Sequence, residues 1–220
     1  PGIPPCVGGE FTRDSSPPFV GASLLATVHQ MWERACSRHA GVATSSMAFE
    51  PSKGYQALRR GRFSEAGALY FLTFCTAGRN MGLTEVTIAH AVQQEWRAMS
   101  LGGVWILRCG TVMPDHVHLL VELGAKLPLS RTIARLKART AASLRKAGLS
   151  WQAGYYDHRV RPQEDILPYF LYTYLNPYRA KLVRVGTEWP WFTCESADRK
   201  WFLPMLDHGL PEPAWLADLP

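Results

Sequence analysis

The chain has 220 residues, 47% hydrophobic and 19% charged, which suffices for one domain of ordinary size with a full core and excludes disorder throughout. Its formal charge of +6 is unevenly spread. Residues 1–58 carry four basic and four acidic side chains, 59–186 carry eighteen and eight, and 187–220 carry two and six, so the running charge is 0, then +10, then −4. A block of one sign in mid-chain fits a polyanion, nucleic acid first and an anionic membrane surface second. The five cysteines, Cys6, Cys36, Cys75, Cys109 and Cys194, are odd in number and lack a CxxC pair. That pattern argues for free thiols in a reducing compartment and against a disulfide framework. No run reaches the roughly 18 apolar residues of a membrane span, so a cytoplasmic protein is expected.

Residues 1–54 mix Pro, Gly and Ser with one short helical pattern at 24–36 and read as a flexible N-terminal extension. A basic lead-in follows, with Arg59, Arg60 and Arg62. Residues 68–76 (ALYFLTFCT) are aromatic and β-rich between Gly67 and Gly78, which predicts a strand. Thr84 is placed to cap a helix whose Ile88, Ala89, Val92, Trp96 and Met99 recur at helical spacing until Gly102-Gly103. Residues 104–113 predict a second strand, Pro114-Asp115 a tight turn, and 116–123 (HVHLLVEL) a third strand.

Ser130 then caps a long helix reaching about residue 146. At 100° per residue, Leu129, Ile133, Leu136 and Leu144 share one face, and Arg131, Arg135, Arg139, Arg145 and Lys146 the opposite one. Seven Lys or Arg and no acid lie between Leu123 and Tyr156. A solvated helix face normally mixes signs, so a one-sign stripe favours phosphate contact. A short strand is predicted at 157–161 and a helix from about Asp165, with Pro168 in its first turn. Asn176-Pro177 is expected to end that helix and open another over 178–183. The order strand, helix, strand, strand, helix, strand predicts an α+β fold: a ferredoxin-like βαββαβ antiparallel sheet, helices on one face, with appended C-terminal helices. The expected folded domain is 55–186, followed by an acidic, Pro-rich segment at 187–220.

The sharpest chemical feature is Pro114-Asp115-His116-Val117-His118. Side chains at i and i+2 of a strand share a face, so His116 and His118 are placed to hold one metal ion. An HxH alone is a weak signal, also met where two strand histidines bond to neighbours. Two histidines leave positions for oxygen ligands, which suits Mg2+ or Mn2+ at a phosphate; a closed zinc site needs more protein ligands. Tyrosines crowd the region after the basic helix, and a tyrosine hydroxyl is able to attack phosphorus. Tyr172 and Asn176 are one helical turn apart, so hydroxyl and amide are able to meet one metal-bound phosphate. Tyr169 and Tyr174 are the competing tyrosines, and Asn176 reads equally as a cap for the following helix.

Several of these segments occur together in one known family. YFLTF, VMPDHVHLLVEL, the basic helix, WQAGYYDHRV, YTYLNPYRAKLV and Glu188-Trp189-Pro190-Trp191 resemble, in order, the REP-associated tyrosine transposases, single-tyrosine relatives of insertion-sequence transposases in the HUH nuclease superfamily. The resemblance covers about residues 58–192. It implies that His116 and His118 bind a divalent metal, Mg2+ or Mn2+, that Asn176 completes or supports that site, and that Tyr172 is the nucleophile. It implies a bacterial, nucleoid-associated enzyme that folds palindromic single-stranded DNA into a hairpin, cuts beside it through a 5′-phosphotyrosine, and rejoins strands. Arg131, Arg135, Arg139, Arg145, Lys146 and the Arg59, Arg60 and Arg62 lead-in would track the backbone, in a monomer or homodimer. A domesticated hairpin-binding protein without turnover is the alternative. A metal hydrolase acting on something other than DNA is disfavoured, because no water-activating carboxylate accompanies the histidines.

Overall fold

The computed structural model describes residues 64–199 and the backbone of a short strand pair at 206–207 and 210–211. The N-terminal extension, its 24–36 helix and the lead-in with Arg59, Arg60 and Arg62 lie outside the described residues.

Strand β1 (Leu69–Cys75) is buried along almost its whole length, as a strand covered on both faces must be. It lies inside a five-stranded sheet of order β4-β1-β3-β2-β5, with β2 (Trp105–Val112), β3 (His116–Leu123), β4 (Tyr156–Val160) and β5 (Phe192–Cys194). Every neighbouring pair is antiparallel. Helix α1 (Val86–Leu101) joins β1 to β2 across β3, and α2 (Leu129–Lys146) joins β3 to β4 across β1. This is the expected βαββαβ arrangement.

Alternation along the strands decides which side chains meet which helices. Tyr70, Leu72 and Phe74 of β1 and Val117, Leu119 and Val121 of β3 face one core, with Val92 and Trp96 of α1 and Ile133 and Leu136 of α2. Phe71 and Leu120 face the other, against α3 (Leu167–Arg179). The two crossover helices thus share one face, and the appended helix covers the opposite one. Gly110 lets Trp96 lie close on β2: a Cβ there would sit 2.6 Å from Leu119 Cδ2 and 3.1 Å from the indole ring.

Three local expectations are corrected. Helix α1 is capped by Glu85, not Thr84, its carbonyl accepting from the Ile88 and Ala89 amides. Helix α2 starts at Leu129, so Ser130 lies inside it; the Leu129 amide donates to Ser64 Oγ, 2.9 Å away, a cap supplied from before β1. Helix α3 runs through Asn176 and Pro177 to Arg179, and no second helix covers 178–183. A helix-interior proline costs roughly 3 kcal/mol, but ten of the thirteen α3 residues are buried, and that packing prevails. The helix closes in a Schellman turn, with Lys181 at φ 56°, its amide on the Tyr178 carbonyl and the Leu182 amide on the Pro177 carbonyl.

The folded unit also continues past residue 186. β5 adds a strand beside β2, and Asp198 of the short α4 (Ser196–Arg199) accepts two hydrogen bonds from the Arg108 guanidinium.

Candidate active site

His116 and His118 both project from β3 toward α3, because Val117 between them takes the opposite core. Their Nε2 atoms are 3.1 Å apart. Each Nδ1 is held from behind: His116 Nδ1 lies 2.6 Å from Asp115 Oδ1, and His118 Nδ1 lies 2.7 Å from Thr73 Oγ1, its partner across the β1–β3 ladder. A carboxylate only accepts, so His116 Nδ1 carries a proton and its Nε2 does not. His118 Nε2 then donates to His116, and His118 Nδ1 accepts from Thr73. Burial pushes the His116 pKa down, against the pull of Asp115, so the ring is held neutral. Asp115 is lowered despite burial, because His116 and Arg79 both bind its carboxylate; Arg79 Nε reaches Oδ2 at 2.7 Å.

Tyr172 stands over this pair. Its ring meets the His118 ring edge-on at 5.1 Å between centroids, and the Arg179 guanidinium lies over its ring at 5.7 Å. Tyr172, Asn176, His116, Asp115, Arg79 and Arg179 line one cleft of about 450 Å3, whose walls include Met81 and Leu182. The competing tyrosines are engaged elsewhere. Tyr169 donates to Glu164 and stacks on His158, and Tyr174 packs on Tyr178 and Phe192.

Paired Nε2 atoms anchored through their Nδ1 atoms are what one divalent ion requires, since ligands about 2.1 Å from a shared ion lie about 3 Å apart. Binding both nitrogens requires His118 to move its proton to Nδ1, and Thr73 permits this because a hydroxyl accepts as readily as it donates. Among the described residues, no third His, Cys, Asp or Glu joins the pair. Asn176, one turn on from Tyr172, also lines the cleft and carries an amide oxygen.

The basic stripe sits elsewhere. Arg131, Arg135, Arg139, Arg145 and Lys146 are exposed on α2, and α2 packs on the sheet face opposite the histidines. Arg135 and Arg139, themselves 43% and 67% exposed, reach toward the largely buried Glu95 of α1 at 3.9 and 3.7 Å, longer than a charge-assisted hydrogen bond. Lys137 is no part of the stripe: it turns inward onto the Gln152 and Gly154 carbonyls, and burial lowers its pKa to about 8. Trp151 donates to Thr140 and packs on Phe74, so it serves the core. Sequence reasoning missed Arg79, Arg179 and Thr73. Asp115 stood in plain view inside the His motif, but read only as a turn residue.

The fold is thus a five-stranded antiparallel sheet with two crossover helices on one face and, on the other, a tyrosine-bearing helix over a strand with paired histidines. Residues 67–161 match the family model described as Transposase IS200 like, and that segment is similar to the family. The match ends before α3. The chain is similar to a putative REP-associated tyrosine transposase of Haemophilus influenzae, 28% identical over 95 residues, with 36% of this chain and 53% of that protein covered. It therefore spans about half the length of that curated relative. Its fold is similar to a REP-associated tyrosine transposase solved bound to a REP hairpin, with TM-score 0.52, 21% identity, and 60% of this chain and 79% of that one covered. A putative transposase from Deinococcus radiodurans R1 matches with TM-score 0.38 and 21% identity, over 56% of this chain and 90% of that one. Among the described residues, no helix is long and apolar enough to cross a membrane.

Proposed function

We propose that the protein binds palindromic single-stranded DNA as a hairpin and cleaves beside it through Tyr172. The observation that carries this reading is the convergence of two histidine Nε2 atoms, 3.1 Å apart, beneath a tyrosine in a cleft with two arginines. Tyr172 Oη attacks the phosphorus, the bond to O3′ breaks, and the DNA is left with a free 3′-hydroxyl and a 5′-phosphate on the tyrosine. Attack by another 3′-hydroxyl reverses the step and rejoins strands with no external energy source. His116 and His118, with Asn176, are the residues to hold Mg2+ or Mn2+, which when bound would polarise the scissile phosphate. Asp115 and Thr73 fix the two rings. Arg131, Arg135, Arg139, Arg145 and Lys146 bind the backbone of the hairpin. Tyr172 is only 1% exposed but lines the cleft, which is the route by which DNA would approach its hydroxyl.

Incubation of the full chain with Mn2+ and DNA carrying a hairpin and a flanking single strand tests the reading. A covalent protein–DNA species on a denaturing gel is expected from wild type and not from Tyr172→Phe. An adduct that persists in Tyr172→Phe removes Tyr172 as nucleophile. Hairpin binding with no adduct under any divalent metal identifies a binding protein without turnover.

A further inference from the structure

Arg179 is carried to the cleft by the continuity of α3 across Pro177. Tyr172, Asn176 and Arg179 are i, i+4 and i+7, one face of one helix, and all three line the cleft with His116. Had the helix broken at Asn176-Pro177, Arg179 would belong to another element. Its position at the helix C-terminus is favourable for any cation, but a solvated arginine would serve that purpose equally. Arg179 is instead half-buried and lies with its guanidinium 5.7 Å from the Tyr172 ring centroid. Among the described residues that line the cleft, the carboxylate is Asp115, which binds Arg79 and His116.

We propose that Arg179 is a catalytic residue that binds a non-bridging oxygen of the scissile phosphate and stabilises the charge gained there during attack. The proposal rests on the cleavage reading above. As the Tyr172 Oη–P bond forms and the P–O3′ bond breaks, the phenol proton passes to water and the departing O3′ takes one up. Between those events the phosphoryl oxygens carry a second negative charge, and a planar guanidinium is suited to two of them at once. A preorganised donor in a part-buried site acts most strongly on such developing charge. The guanidinium lies over the Tyr172 ring, on the same helix face as the attacking hydroxyl. Arg79, on the opposite wall and held by Asp115 and Cys75 Sγ, positions His116 and is not assigned this role.

The test compares two substrates in single-turnover adduct formation with Mn2+: ordinary hairpin DNA, and the same DNA with a neutral methylphosphonate at the cleavage point. With ordinary DNA, Arg179→Gln is expected to slow adduct formation about a hundredfold or more, with hairpin affinity unchanged, and Arg179→Lys to recover part of the rate. With methylphosphonate the difference between wild type and Arg179→Gln should shrink sharply, because the phosphoryl oxygen then reaches a single negative charge during attack instead of two. An equal loss on both substrates overturns the proposal and makes Arg179 a packing residue for Tyr172. No loss on either also overturns it. Absence of any adduct from wild type sinks the cleavage reading itself, and Arg179 with it.

Discussion

At the scale of single residues, the proposed metal site turns on the hydroxyl of Thr73. Two histidines on one strand face need their Nε2 atoms deprotonated together, and the resting chain of hydrogen bonds leaves a proton on His118 Nε2. Thr73 Oγ1 lies 2.7 Å from His118 Nδ1, and it is able to accept that proton's bond after the switch. We expect Thr73→Val, which keeps shape and removes the hydroxyl, to weaken Mn2+ binding about 10–100-fold while leaving hairpin binding intact. Thr73→Ser should restore it. Titration followed by the Mn2+ spin signal reads this directly, and an unchanged affinity in the valine variant would show that Thr73 does not set the tautomer. The histidines themselves were legible from the HxH spacing. Thr73 was not, because it meets His118 only through the β1–β3 register, 45 positions apart.

At the scale of elements, the tyrosine helix is set by its two ends: Pro168 lies in its first turn, as its sequence position suggests, and the signal for the other end was misleading. Asn176-Pro177 looks like a boundary, yet burial of ten residues keeps the helix whole. That correction is what brings Arg179 beneath the same cleft as Tyr172. The N-terminal end is tied down by Glu164, whose Oε2 lies 2.7 Å from His158 Nε2 of β4 and accepts from the Tyr169 hydroxyl at 2.9 Å. Burial tends to raise the Glu164 pKa, but these two hydrogen bonds outweigh it and hold the group below its ordinary 4.5. A carboxyl depressed in the folded state contributes stability that is complete above its unfolded pKa and lost as pH falls through the folded one. Wild type is therefore expected to unfold at higher denaturant than Glu164→Gln at pH 7 and pH 5, with the gap closing below about pH 4.5. Urea midpoints across that range measure it, and a gap that stays constant down to pH 3 would remove Glu164 as an ionised clamp. Helix amphipathicity and strand order, by contrast, were readable, since they depend on local periodicity that tertiary contacts here reinforce.

At the scale of the whole molecule, the basic stripe of α2 and the cleft with His116 and Tyr172 lie on opposite faces of the sheet. The sequence shows a basic stripe and a histidine pair close together in the chain, but not that α2 packs against Val117 while His116 and His118 look the other way. Facing is set by strand parity and by which side each crossover takes, which no local pattern encodes. The separation constrains the DNA. From the outer surface of α2 to the cleft beneath α3 there are about two layer spacings of roughly 10 Å each, and a hairpin stem is too stiff to wrap a sheet edge within that distance. A stem held by Arg131, Arg135 and Arg139 must therefore send an unpaired strand around the edge to Tyr172. Moving the cleavage point directly against the stem should leave binding unchanged and abolish the adduct, and inserting unpaired nucleotides between them should restore it. Hairpins of fixed stem and graded spacer, assayed for affinity and for adduct on the same samples, separate the two effects. If cleavage is indifferent to the spacer, the stem lies on the α3 face and the basic stripe of α2 is not its seat.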